Sequence, residues 1–184
     1  MDSTADDRLE DALTQHDPVE SLAQTLQLPL RRALEALPPA VVSALHGEPF
    51  GHPLHPLLVH LPLGGWLIAG VLDVLPLPDT DAAADLALLL GTVGASGTIA
   101  TGWTDWANTE GAARRTGLVH GLLNEVAFLM QAASVLSRRR GDRATGRLLS
   151  GGALALAVAG GFLGGQLVYR HGLGVEATLA TPQG

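Results

Sequence analysis

The chain of 184 residues has no cysteine and no lysine. Without thiols it can hold no iron–sulfur cluster of its own, no zinc–thiolate site, no c-type haem attachment and no disulfide framework. Charge is scarce as well, at 16% of residues against roughly a quarter in an ordinary soluble domain. The formal net charge of −7 leaves no basic face to neutralise phosphates, so nucleic-acid binding is not expected. Aromatic residues make up only 4%. No Gly-x-Ser-x-Gly elbow, phosphate loop or His-Glu-x-x-His motif occurs, which argues against a hydrolase.

What the sequence has is apolar length. A bilayer core of about 30 Å needs about 20 apolar residues per helix. Four segments meet that length, at about 56–75, 82–103, 117–137 and 148–169. The first lies more than 50 residues from Met1 with no basic segment before it, so no signal peptide is expected. The joints are short: Pro76 to Asp81, Thr104 to Thr116, and the arginine-rich Arg138 to Arg143. Short joints make neighbouring helices antiparallel, which predicts an all-α integral membrane protein, an up-down bundle of four transmembrane helices. Positive-inside counting puts the third joint in the cytoplasm.

Nine of the 18 acidic residues lie before residue 50. Residues 1–17 read as a disordered acidic tail. Residues 18–50 read as an amphipathic helical segment, with Val19, Leu22, Leu26, Leu30, Ala33, Leu34 and Leu37 on one face. Pro29 is a possible break, and Pro38-Pro39 an interruption. Such a segment suits a helix lying on the membrane or a partner, and equally a cap packed on the bundle. The four-helix domain is expected over 51–176, with 177–184 as a tail. Gly91, Gly94, Gly160, Gly161, Gly164 and Gly165 build small-xxx-small spacings, which suit tight helix pairing or room for a flat cofactor.

Counting crossings gathers the polar residues at one face. The start of span one, the end of span two, the start of span three and the end of span four share a side. His52, His55 and His60 lie at the first, Trp103, Asp105 and Trp106 at the second, and His120, Asn124 and Glu125 at the third. Tyr169 and His171 lie at the fourth. The tryptophans and Tyr169 read as an aromatic belt. His120, Asn124 and Gln131 form a polar stripe on one face of span three, expected to turn inward. Glu125 is an ionisable group at depth, and so a functional candidate. Neutral imidazoles suit haem iron, copper, zinc and non-haem iron. Two histidines from facing helices could ligate one haem, or three with a carboxylate one metal ion, and His52, His55, His60, His120 and His171 are the candidates, His120 first. Asp105, Asn124, Glu125 and Tyr169 are expected to orient imidazoles or carry protons. A scaffold without a cofactor, or a small-solute or proton pathway using Glu125, are the alternatives.

The strings Gly51-His52-Pro53-Leu54-His55-Pro56, Gly102-Trp103-Thr104-Asp105-Trp106, Gly117-Leu118-Val119-His120 and Gly164-Gly165-Gln166-Leu167-Val168-Tyr169, with Gly172-Leu173-Gly174-Val175, resemble a bacterial family of predicted membrane proteins, domain of unknown function 2231. The resemblance covers roughly residues 44–176 and implies four membrane helices without an assigned activity. Relatives that carry a Rieske-type domain after the last helix imply redox work at a membrane, with haem b or a quinone. With no cysteine here, any Rieske partner is expected to be a separate protein, and a homo-oligomer is possible. The resemblance implies a bacterial inner membrane and ranks His52, His55 and His120 above His60 and His171, which makes His55 and His120, assisted by His52, the expected ligands of haem b or a single metal ion.

Overall fold

The computed structural model describes residues 17–75 and 78–174, together with Arg8 and Ala12. The rest of the expected acidic tail, Pro76, and the expected tail beyond 174 lie outside the described residues. Among the described residues, regular structure is entirely helical. In chain order the helices are α1 (Asp17–Glu35), α2 (Pro39–His46), a 3-10 turn (Glu48–Phe50), α3 (Leu54–Leu58), α4 (His60–Val74), α5 (Asp81–Trp106), α6 (Gly111–Arg139) and α7 (Arg143–Tyr169).

Local chemistry sets several boundaries. Pro38 and Pro39 start α2, and Gly47 stops it in the left-handed region at φ +84°. A side chain at Gly47 would also place its Cβ 2.1 Å from the His52 carbonyl oxygen. The α3–α4 joint falls at Val59 because Pro62 has no N–H for the Leu58 carbonyl and its ring crowds that carbonyl. The chain stays in helical geometry through Val59, so α3 and α4 form one 21-residue span, Leu54–Val74. Asp142 caps α7 by accepting the Thr145 N–H at 3.1 Å. Pro29 does not break α1; it stands inside the helix on the exposed side.

Four helical segments are long and apolar enough to cross a membrane: Leu54–Val74, Asp81–Trp106, Gly111–Arg139 and Arg143–Tyr169. At 1.5 Å per residue they extend about 30 to 45 Å, enough for the hydrocarbon core. They form an up-down bundle in which α6 pairs with α7, α4 with α5, α5 with α6, and α4 closes the ring against α7. The interior is built of small residues around Trp66 and Leu88, among them Ala69, Ala95, Ala127, Ala153 and Ala157. At the α4–α5 contact, a Cβ on Gly65 would lie 2.7 Å from the Gly91 Cα, so the two backbones touch through glycine. The outer surface is covered with exposed leucine, isoleucine and valine, including Leu67, Ile68, Leu90, Leu129 and Val158. An all-round apolar exterior on helices of this length belongs in lipid.

The two ends differ. At the end of the first and third joints, Arg138, Arg143 and Arg147 interlace with Asp73, Asp81 and Asp85, tying all four spans together. At the other end α1 is docked as a cap. Its buried Gln27 donates to the carbonyls of Trp106 and Thr109, both at 3.0 Å, and Arg31 donates to the Ala107 carbonyl at 2.6 Å. Glu20 pairs with Arg114 and Arg115. Ala23 is packed with Trp106 and Leu118.

Candidate functional site

The capped end holds the polar cluster. His55 stands on α3 and His120 on α6, and their rings meet edge to face with centroids 6.2 Å apart. Each ring is anchored on a further helix. His55 Nδ1 lies 2.8 Å from the Thr98 carbonyl oxygen of α5, and His120 Nδ1 lies 2.7 Å from the Gly160 carbonyl oxygen of α7. A carbonyl oxygen only accepts, so each Nδ1 carries the hydrogen and each Nε2 keeps its lone pair. The four spans thus all contribute to one imidazole pair.

Glycines make this approach possible. A Cβ at Gly102 would stand 2.7 Å from His55 Cε1, and one at Gly164 would stand 3.0 Å from His120 Cε1. A Cβ at Gly160 would collide with Asn124 at 2.6 Å. The space these glycines leave is therefore taken by imidazole and amide groups. Asn124 donates from Nδ2 to the His120 carbonyl at 2.8 Å and lies 3.3 Å from His120 Nδ1. Gln131 is fully buried on the same stripe, so that stripe does turn inward.

The remaining candidates take other positions. Asp105 pairs with a histidine, but with His46 of α2, 2.8 Å from its Nδ1, rather than with an expected ligand. It lies within electrostatic reach of His55. Glu125 accepts the Trp103 Nε1–H at 2.6 Å and does not orient an imidazole. His60 is exposed, with Nδ1 3.1 Å from the Leu57 carbonyl of its own turn. His52 is exposed in the turn before α3, and His171 is half-buried in the turn after α7. Tyr169 is 88% exposed, which suits a belt residue and not a proton relay to the pair. The belt expectation fails for Trp106, while Trp103 is half-buried. Trp103 and Trp106 pack edge to face at 4.9 Å, and Trp106 is buried under α1 with its Nε1–H on the Arg114 carbonyl at 2.7 Å. Buried indoles with satisfied N–H groups are core residues. Among the described residues no group of three or more His, Asp or Glu is placed to hold a metal ion, so the five histidines do not make one multi-ligand centre.

His46 escapes sequence counting because it lies outside the four spans. Its place beside Asp105 depends on how α2 folds back on α5.

A family described as "Predicted membrane protein (DUF2231)" matches residues 51–177. Comparison with curated proteins and with solved structures gives no match.

Proposed function

We propose that this chain, which belongs to the DUF2231 family of predicted membrane proteins, is a membrane redox component holding one metal centre, a single ion or haem iron, on His55 and His120. One observation carries the reading: two imidazoles from different spans meet at 6.2 Å, each with Nδ1 bound to a backbone carbonyl of another helix. Metal-bound histidines are commonly held in this way, with the second nitrogen fixed by a carbonyl and the ligating one left basic. Two imidazoles that share one ion through facing Nε2 atoms, with metal–nitrogen bonds of about 2 Å, have ring centroids about 6 Å apart. Two neutral imidazoles suit copper, zinc or haem iron. The glycines nearest the pair are filled by the rings themselves, which favours a bare ion over a flat macrocycle. Such a centre would supply electron transfer or Lewis-acid chemistry within one leaflet.

The chain's own groups hold and insulate the site. The Thr98 and Gly160 carbonyls fix the tautomers, and Asn124 ties the His120 turn. Asp105 with His46 places a charge-bearing pair toward the aqueous edge. In this reading a separate Rieske-type protein or a quinone exchanges electrons at that face. The same Nδ1 bonds link α3 to α5 and α6 to α7, which favours a structural role as the second reading.

Absorption spectra and metal analysis of the purified protein decide between them. A Soret band identifies haem, and stoichiometric metal without one identifies an ion; either should vanish in His55→Gln and His120→Gln. Folded protein that is colourless and metal-free, or metal retained by both variants, overturns the reading.

A further inference from the structure

Away from the histidines, the seam between α4 and α7 opens on the outer surface as a groove of about 430 Å³. Leu67, Val71 and Val74 form one wall and Leu154 the other, with Gly70 and Gly151 leaving space between. A groove of this size is within the range of small-ligand sites. Its length from Leu67 to Leu75 is about 12 Å by helical rise, close to the depth of one leaflet's hydrocarbon.

Polar groups occur only at the groove's outer end, where Asp73, Arg147 and Ser150 line it. Ser150 is 2% exposed, and among the described residues its hydroxyl has no hydrogen-bond partner. A helical serine usually turns to the carbonyl four residues back. That carbonyl, of Gly146, already accepts from Ser134 Oγ at 2.6 Å. A buried hydroxyl left in this way can donate to an acceptor brought by a ligand in the groove. Beside it, Arg147 and Asp81 stand 3.2 Å apart, with side chains 44% and 61% exposed; Arg143 also holds Asp81 at 2.8 Å and Arg147 also reaches Asp73 at 3.2 Å, so both signs of charge are presented at headgroup depth.

We propose that this groove binds one acyl chain of a zwitterionic aminophospholipid. Ser150 donates to an ester oxygen, Arg147 takes the phosphate, and Asp81 faces the ammonium. A head carrying both charges meets both exposed members of the Arg147–Asp81 pair, whereas a purely anionic head meets the arginine alone.

Native mass spectrometry of the full chain, released from micelles holding equal amounts of phosphatidylethanolamine and phosphatidylglycerol, tests this. Wild type should retain one phosphatidylethanolamine. Gly151→Leu should fill the groove, since a Cβ there meets nothing within 4 Å, while Gly161→Leu, equally open but outside the groove, should bind as wild type. Ser150→Ala removes one oxygen, keeps the fold, and should weaken retention about tenfold, the worth of one lost hydrogen bond. No retained lipid in wild type, equal retention of phosphatidylglycerol, or undiminished retention in both Gly151→Leu and Ser150→Ala overturns the proposal.

Discussion

Replacing Arg138 with methionine removes the central cation of the cluster that joins the four spans. The Arg138 side chain is 2% exposed and that of Asp73 6%. Arg138 reaches both Asp73 oxygens and also donates to Asp85 at 3.1 Å. Once it is gone, Asp73 keeps one contact, from Arg147 Nε at 3.2 Å, whose side chain is 44% exposed. Removing one partner of a buried pair costs about 3–5 kcal/mol, because a charge is left buried. A half-exposed ion pair returns about 0–1 kcal/mol. The expected loss is therefore about 3 kcal/mol. Adding Asp73→Leu should recover most of it, since apolar replacement of a whole buried pair is often neutral. Reversible unfolding in mixed micelles, followed by tryptophan fluorescence, gives both values, and the double-mutant cycle gives the coupling. A cost below about 1 kcal/mol for Arg138→Met, or a double variant as unstable as the two losses added, would refute the argument.

Three further outcomes are expected. Gly102→Ala should drive its Cβ into the His55 ring, at 2.7 Å from Cε1, and abolish metal binding while circular dichroism stays helical; unchanged metal content would count against His55 as a ligand. Gln27→Leu removes the donor that α1 gives the Thr109 carbonyl and the acceptor it gives Arg31, while the Trp106 carbonyl keeps the Thr109 N–H and hydroxyl, so it should cost about 1–3 kcal/mol and expose Trp106 to quenchers; an unchanged quenching profile would deny the cap its anchor. Burial raises the Glu20 pKa, but hydrogen bonds from Gln24, Arg114 and Arg115 outweigh it and hold the carboxyl below its ordinary value. The cap's stability from this group is thus full above the ordinary carboxylate range and is lost as pH falls through the lowered value. Trp106 fluorescence should report that release in wild type and not in Glu20→Gln.

The bundle and the gathering of residues 55 and 120 at one end were readable from the chain because both depend on periodicity and parity, whereas the contact of their rings was not. An even number of crossings returns the chain to the same side, and four apolar segments of sufficient length fix that number. The span ends were less legible. Residues 111–116 and 143–147 are polar, and they are helical because α6 and α7 run beyond the apolar stretch into the ion-pair cluster and the cap. The fate of residues 18–50 was balanced between membrane and bundle. Gln27 holds α1 on the protein, as a buried amide bonded to two carbonyls of the α5–α6 corner, while Leu22 and Leu26 of the expected apolar face stay exposed. Nothing in the spacing of that helix singles out Gln27 from its other polar residues. The His46–Asp105 and Trp103–Glu125 pairs were hidden for the same reason: each joins elements whose relative rotation only packing decides.

The glycines of α7 resolve in the same way. Spacing alone allowed close backbone contact or room for a cofactor, and the helix does something different on each side. Toward α6, Gly146, Gly160 and Gly164 face Arg138, Asn124 and His120, so each glycine admits a polar side chain. In lipid such groups need partners within the protein. Glycine opposite a polar residue lets that residue reach backbone: His120 reaches the Gly160 carbonyl and Ser134 the Gly146 carbonyl. Away from α6, Gly151, Gly161 and Gly165 have nothing within 4 Å of a built Cβ. Substitution to alanine therefore separates the two sets. Position 160 or 164 should disturb the imidazole pair, whereas position 161 or 165 should leave stability unchanged or raise it by up to about 1 kcal/mol through helix propensity.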